Sequence, residues 1–267
     1  MNRRQYLKLV GGVGWAASPA SAGRADASAV PLTRHGIRFD RVDRAVEDLG
    51  MDPTGTVPID DALDRAHRDG TLVVFPPGRY LATSEHRWHG DVSAFGMLGL
   101  GNSHRDVQFV FPPGNAGARA PANYRFLYVT GGRDHLLENV TIQQTPDETT
   151  GVGMYFKQED GLHVEDVELA GFNPSWSHDP GFGIIAAITD RTGVGVIRRF
   201  TCTGGGVVEE YPKRKTPIGS FDRHRGELRI LEPHIEEAGE HSMYVSRTLG
   251  CVRVEDGLFV NNDNSNL

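Results

Sequence analysis

Lysine is scarce in this chain. Only Lys8, Lys157, Lys213 and Lys215 occur, against 24 arginines, and acids outnumber bases to give a formal charge of −7. Without a broad cationic surface there is little to displace counterions from phosphates, which argues against a nucleic-acid partner. An acidic, lysine-poor composition fits a salt-adapted surface and a codon bias toward arginine equally well. Cysteine is scarcer still, with Cys202 and Cys251 alone. Helix-length periodic stretches are few, whereas glycine is abundant at 33 residues, a composition that suits many short strands joined by turns. Phosphate-loop and zinc-helix motifs are absent.

What is present is a recurring apolar phrase. It reads Arg105-Asp-Val-Gln-Phe109, Leu137-Glu-Asn-Val-Thr-Ile142, Val164-Glu-Asp-Val-Glu-Leu169, Ile197-Arg-Arg-Phe-Thr-Cys202, Ile230-Leu-Glu-Pro-His-Ile235 and Val254-Glu-Asp-Gly-Leu-Phe259. Aligned, these phrases put Val107, Val140, Val167, Phe200, Pro233 and Gly257 in register, at intervals of 33, 27, 33, 33 and 24 residues. A fixed strand phrase with variable filler is the signature of a solenoid, in which each turn buries its face on the next and insertions go to loops. A second strand precedes four of the phrases: Phe126-Leu-Tyr-Val129, Gly153-Met-Tyr-Phe156, Gly183-Ile-Ile-Ala-Ala-Ile188 and Ser242-Met-Tyr-Val-Ser246. Stacked strands are about 4.8 Å apart, so Cys202 and Cys251, two turns apart, stand about 10 Å from each other, too far for a disulfide. Asn139, Asn261 and Asn262 fall at corners, where a ladder of side-chain amides has a structural role.

The first 22 residues read as a leader. Arg3-Arg4-Gln5-Tyr6-Leu7-Lys8 precedes a weakly apolar run from Leu9 to Ala17 and the small-residue site Ala20-Ser21-Ala22. The run is too short and too glycine-rich to span a bilayer, and the whole resembles a twin-arginine export signal. Its removal takes away Arg3, Arg4 and Lys8 and no acid, so the charge of −7 becomes −10. Residues 23–35 follow as a polar, alanine-rich linker, and 36–267 read as one domain. That domain opens with a helix at 58–68, where Ile59, Ala62, Leu63 and Ala66 share a face at helical spacing; Pro58 suits its first turn and Asp69-Gly70 its end.

The segment Asp52-Pro-Thr-Gly-Thr-Val-Pro-Ile-Asp60, then the short helix, then Val73-Val-Phe-Pro-Pro-Gly-Arg-Tyr80 resembles the opening of pectate-lyase-like right-handed parallel β-helix proteins. The resemblance covers roughly residues 46–266 and is strongest to secreted archaeal β-helix proteins of unassigned activity. It implies an all-β fold: a single-stranded right-handed parallel β-helix of about 6–7 turns, its open end closed by the 58–68 helix. No polar cap is visible at the C-terminal end, and an uncapped edge invites pairing with another chain, so end-to-end self-association through the last turn is a further expectation. Fold does not fix activity, since lyases, hydrolases, epimerases, tailspikes and adhesins share this one. The Asn-Thr-Asp, Gly-His-Gly and Arg-Ile-Lys signatures of its polygalacturonase-type hydrolases are absent.

If each phrase is one rung, the loops after it project from one edge. They are 143–150, 171–181, 203–226, 236–240 and the 261–267 tail. Aromatic side chains stack on sugar faces, and acids and bases move protons. Within 203–226, Asp222, His224 and Arg225 stand close enough for uronate chemistry: Arg225 or Arg223 neutralising a carboxylate, His224 abstracting the C5 proton. The alternative is a charged surface loop with internal salt bridges. Glu240-His241 opens the next turn as an acid/base pair or as a corner hydrogen bond. Trp176, His178 and Asp179, with Tyr211 and Lys213, form a candidate sugar platform, or pack as ordinary structure. Calcium assists members of this superfamily, and Glu209, Glu236 and Asp263, with Glu210 and Glu237, could supply oxygen ligands. Two functions stay open. One is a secreted protein that binds or degrades an acidic polysaccharide, as a lyase or C5-epimerase where it is catalytic. The other is a non-catalytic surface or envelope solenoid.

Overall fold

The computed structural model describes residues 31–111, 124–144, 152–171, 181–203, 207–208, 211–212, 215–221, 223–238 and 241–260. The chain is mostly β. Its strands gather into a fourteen-stranded and a six-stranded parallel sheet, with two small antiparallel pairs beside them.

The register of the larger sheet follows the repeated phrase. Gly78 pairs with Val107, and Val140 with Val167. The neighbouring pairs Thr141–Gln108, Glu168–Thr201, Thr201–His234 and His234–Leu258 carry the same alignment through Phe200 and Pro233 to Gly257. The inward positions Val107, Phe109, Val140, Ile142, Val167, Leu169, Phe200, Cys202 and Ile235 are buried in one continuous core. Burial of like residues over like, rung after rung, selects this register; a one-residue slip would turn the whole set outward.

Five of the six phrases, all but the first, are bent in the middle. Asn139, Asp166, Arg199, Glu232 and Asp256 stand at one position of successive rungs, with φ of 56°, 53°, 48°, 53° and 54°. One left-handed residue redirects the chain, so the larger sheet forms two rows, one before the bend and one after. Such a φ is costly for a side chain other than glycine, least so for Asn and Asp. Local bonds hold it. The Asn139 amide donates to the carbonyls of Gly99 and Gly101 at 2.8 and 3.0 Å. Arg199 grips the Asp166 carboxylate of the rung below at 2.7 and 3.0 Å.

The six-stranded sheet is the third row, in the order Met243–Val245, Lys215–Ser220, Gly181–Ile188, Val152–Gln158, Tyr124–Thr130 and His86–His89. Four of its strands were expected ahead of the phrases. The Lys215–Ser220 strand was not, since the 203–226 stretch read as a loop. Pro217 lacks an N–H and sits within that inner strand, where proline is unusual. The neighbouring strand accommodates it with Gly183: a Cβ there would lie 2.7 Å from the Pro217 carbonyl oxygen.

The helix is shorter than expected, Asp60–Ala66, and buries Leu63 and Ala66, with Ile59 just ahead of it, against the first rungs. Asp60 is anchored there: its carboxylate accepts from Thr83 and Ser84 backbone N–H groups at 2.9–3.0 Å. The linker reading of residues 23–35 is corrected at its end. Leu32–Arg34 is a strand, paired antiparallel with Ile37–Phe39. This hairpin packs Ile37 and Phe39 on Leu72, Val74, Leu98 and Leu136, on the outer face of the larger sheet. At the last described rung Val254, Leu258 and Phe259 are exposed. Cys202 is buried and Cys251 exposed, and no disulfide joins them. No helix among the described residues is long and apolar enough to cross a membrane.

Candidate functional site

The most distinctive surface lies on the outer face of the six-stranded sheet. Strand alternation turns Leu127, Val129, Met154 and Phe156 into the core and Tyr128 and Tyr155 to the opposite face. In the sheet register Arg87 stands opposite Tyr128, Tyr128 opposite Tyr155, Tyr155 opposite Ile185, Ile185 opposite Gly219, and Gly219 opposite Tyr244. One straight line of side-chain positions therefore crosses six strands, about 24 Å at the usual strand spacing.

The two central tyrosines are stacked, with centroids 4.6 Å apart and planes 9° from parallel. Arg87 lies 5.3 Å from the Tyr128 centroid. Arg125 lies 5.5 Å from Tyr128 and 5.4 Å from Tyr155. These distances are within the range of cation–π attraction. His89 meets the Tyr128 edge at 5.7 Å, and Lys157, two residues beyond Tyr155, shares the face. Glu85 offsets part of this charge: it accepts from Arg87 at 2.5 and 2.8 Å and from the Arg125 backbone N–H at 3.0 Å.

At the other end of the line Phe182, Phe221, Tyr244 and His241 form an aromatic group. Phe182 and Phe221 are 5.2 Å apart, and His241 stacks on Tyr244 at 5.8 Å. Gly219 makes room for them, since a Cβ there would meet Phe182 at 2.7 Å and Phe221 at 3.2 Å. Tyr244 keeps 40% of its surface exposed. Tyr155 and Ile185, in the middle of the line, are buried at 4% and 2% exposed, so the rings open for stacking are Tyr128 and Tyr244, with the guanidinium groups of Arg87 and Arg125 beside Tyr128 for anions.

The residues anticipated from sequence are distributed differently. His224, expected on an exposed loop, is wholly buried. Its Nδ1 accepts from the Ile188 backbone N–H at 3.0 Å and its Nε2–H donates to the Cys251 carbonyl at 3.1 Å. Both ring nitrogens are thus engaged in bracing one turn, and neither faces solvent. Arg225 is exposed, with its backbone N–H bonded to Ile188 at 2.7 Å. His241 is exposed beside Tyr244, on the aromatic face. Glu236 accepts from His234 at 2.6 Å. Tyr211 lies in a two-residue strand paired with Val207–Val208. Trp176, His178, Asp179, Glu209, Lys213, Asp222, Glu240 and Asp263 lie outside the described residues.

No family model, curated protein or solved structure matches the chain. The reading therefore rests on this chain's own residues.

Two imidazoles, His135 buried and His67 half-buried, line the corner between the six-stranded sheet and the first row of the larger one. Burial pushes His135 down to about 3 and His67 down to about 4, so both are neutral. Neither ring nitrogen of His135 nor the Gln158 amide makes a well-formed hydrogen bond among the described residues, although the Gln158 amide and the Arg133 backbone lie close enough to His135 to act on it. His67 stacks on Trp88 at 4.1 Å. His86 behaves oppositely. Burial would lower it, but the carboxylates of Asp60 and Asp64, at 3.3 and 2.7 Å, outweigh that and raise it.

The aromatic line had a signal in sequence. Leu127-Tyr-Val129, Met154-Tyr-Phe156 and Met243-Tyr-Val245 repeat one pattern, with tyrosine at the outward position each time. Arg87 and Arg125 gave no such signal, because only the strand register brings them to the rings.

Proposed function

We propose that this protein is a secreted or cell-surface single-stranded right-handed parallel β-helix of about six to seven turns, exported folded by the twin-arginine route, that binds an acidic polysaccharide. Three rows of parallel strands, visited in a fixed order by the chain, support the β-helix reading. The observation that carries the binding reading is the line from Arg87 and Tyr128 to Tyr244, with Arg125 against Tyr128 and the buried Tyr155 stacked beside it. Rings stack on sugar faces, and cations beside them pair with uronate carboxylates. The burial of His224 weighs toward binding and away from lyase or epimerase chemistry at the Asp222–Arg225 turn.

The test is affinity electrophoresis of the purified protein through gels containing polygalacturonate, alginate or neutral dextran, with ultraviolet absorbance of unsaturated product followed in parallel. Retardation by the acidic polymers alone, without new absorbance, is the expected result. Equal retardation by dextran, or none by any polymer, overturns the reading. A rise in absorbance moves it to a lyase. The exposed Val254, Leu258 and Phe259 favour a second reading, a surface solenoid that assembles through its last described rung. Sedimentation of a monomer at all concentrations would remove that one.

A further inference from the structure

On the outer face of the larger sheet, the turn of the N-terminal hairpin brings His35 over the strand Leu162–Ala170, where His163 and Glu165 stand two residues apart on one face. One nitrogen from each imidazole and one Glu165 oxygen lie within 4.8 Å of one another. We propose that His35, His163 and Glu165 form a site for a divalent transition-metal ion, Zn2+ by preference, that fastens the hairpin to the sheet.

The geometry is near that of a bound ion. His163 Nε2 is 2.7 Å from Glu165 Oε2, and His35 Nδ1 is 3.7 Å from the same oxygen. Ligand atoms sharing a tetrahedral zinc at its usual bond lengths stand roughly 3.3 Å apart. The two spacings straddle that value, and the third pair lies within 4.8 Å, so an ion enters by drawing the three ligand atoms together and tilting the two rings, which now stack at 3.8 Å.

The surrounding groups are those that orient metal ligands. Glu138 Oε2 accepts from His35 Nε2–H at 3.0 Å, which leaves the Nδ1 lone pair facing Glu165. A carboxylate on the far nitrogen is the usual support of a metal-bound imidazole. Arg34 holds Glu138 in turn through both its oxygens. Arg199 bonds the other oxygen of Glu165 and also grips Asp166, keeping Oε2 pointed at the imidazoles. Three carboxylates, Glu138, Glu165 and Asp166, face two guanidiniums, so the cluster carries an excess of negative charge that a cation would relieve. Two imidazoles with one carboxylate select zinc or its neighbours over calcium, which takes oxygen donors. The side chains of His35, His163 and Glu165 are 25%, 14% and 11% exposed, enough for entry from solvent and enough burial to hold geometry. The site is separate from the polysaccharide face and does not depend on that reading.

Calorimetric titration of the chelator-stripped full chain with ZnCl2 tests this. One ion per chain is expected, with affinity lowered at least 100-fold in His163→Gln and in Glu165→Gln, and unchanged in His234→Gln, which removes the similar His234–Glu236 pair. His35 sits at φ 50°, where asparagine is well tolerated, so His35→Asn keeps the turn while removing the imidazole and should weaken binding equally. Co2+ in place of Zn2+ should give the visible absorption of tetrahedral coordination, and the three ligand variants should lose it. No Zn2+ binding by the wild type, or wild-type affinity in a folded His35→Asn chain, would sink the proposal. Loss of binding in His234→Gln alone would do the same.

Discussion

Arg105 and Glu168, 63 residues apart in sequence, are joined by a forked ion pair, with Nε to Oε2 at 2.8 Å and Nη2 to Oε1 at 2.7 Å. Arg105 leaves the short turn at His104–Asp106, while Glu168 points outward from a strand of the larger sheet. Burial would push the Glu168 carboxyl up, but the bonds from His104 and Arg105 outweigh it and hold it at about 2, against an ordinary 4.5. A carboxylate with a depressed folded-state value contributes stability that is complete above about pH 4.5 and lost as pH falls toward 2. Urea unfolding at pH 7 and pH 3 should show this loss in the wild type and a smaller one in Glu168→Gln. Arg105→Ala should cost roughly 1–3 kcal/mol at pH 7, because it removes the two guanidinium donors from a buried acceptor. An unchanged pH dependence in Glu168→Gln would show that the pair contributes nothing.

His135 also loses stability in acid, for a different reason. The interior holds it neutral, down to about 3, while the unfolded chain protonates near 6.5. Its contribution to stability is therefore full above pH 6.5 and lost as pH falls toward 3. With neither ring nitrogen in a well-formed hydrogen bond, the imidazole gains little from its burial, and an apolar replacement of similar shape is near neutral. His135→Leu should match or exceed wild-type melting temperature at pH 7, and its advantage should grow at pH 5. A melting temperature lowered by several degrees at pH 7 would mean that the imidazole has a partner that matters, such as Gln158.

These two sites show where sequence reading succeeds and stops. The register through Val107, Val140, Val167, Phe200, Pro233 and Gly257 was legible because one apolar face must stack on the next. The helix was legible from the spacing of Ile59, Leu63 and Ala66. The bends at Asn139, Asp166, Arg199, Glu232 and Asp256 were not, since a positive φ at a non-glycine residue leaves no mark in composition. The hairpin at Leu32–Phe39 was hidden because Leu32, Ile37 and Phe39 are too few to form a pattern. His35 with Glu138, and Arg87 with Tyr128, are contacts made by register, and no local signal announces them. His224 was misplaced because charged neighbours suggested a surface loop, whereas its ring turns inward to brace Ile188 and Cys251.

Gly183 and Pro217 form a matched pair across two strands. A methyl group at Gly183 would stand 2.7 Å from the Pro217 carbonyl oxygen, which is backbone and has little freedom to retreat. Gly183→Ala should therefore destabilise the protein by roughly 1–3 kcal/mol, the usual effect of overpacking a well-filled interior. Chemical denaturation is the measurement, and hydrogen exchange should locate the loss in Gly181–Ile188 and Lys215–Ser220. Wild-type stability in this variant would mean that the two strands separate easily at this point.

The polysaccharide reading makes a prediction that divides charge from stacking. Arg87 and Arg125 act through charge, which dissolved salt screens over about 8–10 Å near physiological ionic strength. Tyr244 acts through contact area, which salt leaves intact. Arg87→Ala and Tyr244→Ala should each weaken retention by polygalacturonate, by roughly 0.5–1 kcal/mol for the exposed cation and a comparable amount for the ring. The two losses should then part company. Raising the salt from 20 to 500 mM should erase the difference between Arg87→Ala and wild type while preserving that of Tyr244→Ala. Tyr244 is a suitable probe because it is 40% exposed at the edge of its sheet, so its removal disturbs little of the core. If both losses vanish in salt, the tyrosines contribute only to the sheet and the face is a plain cationic patch. If neither variant weakens retention, the polymer is held elsewhere on the molecule.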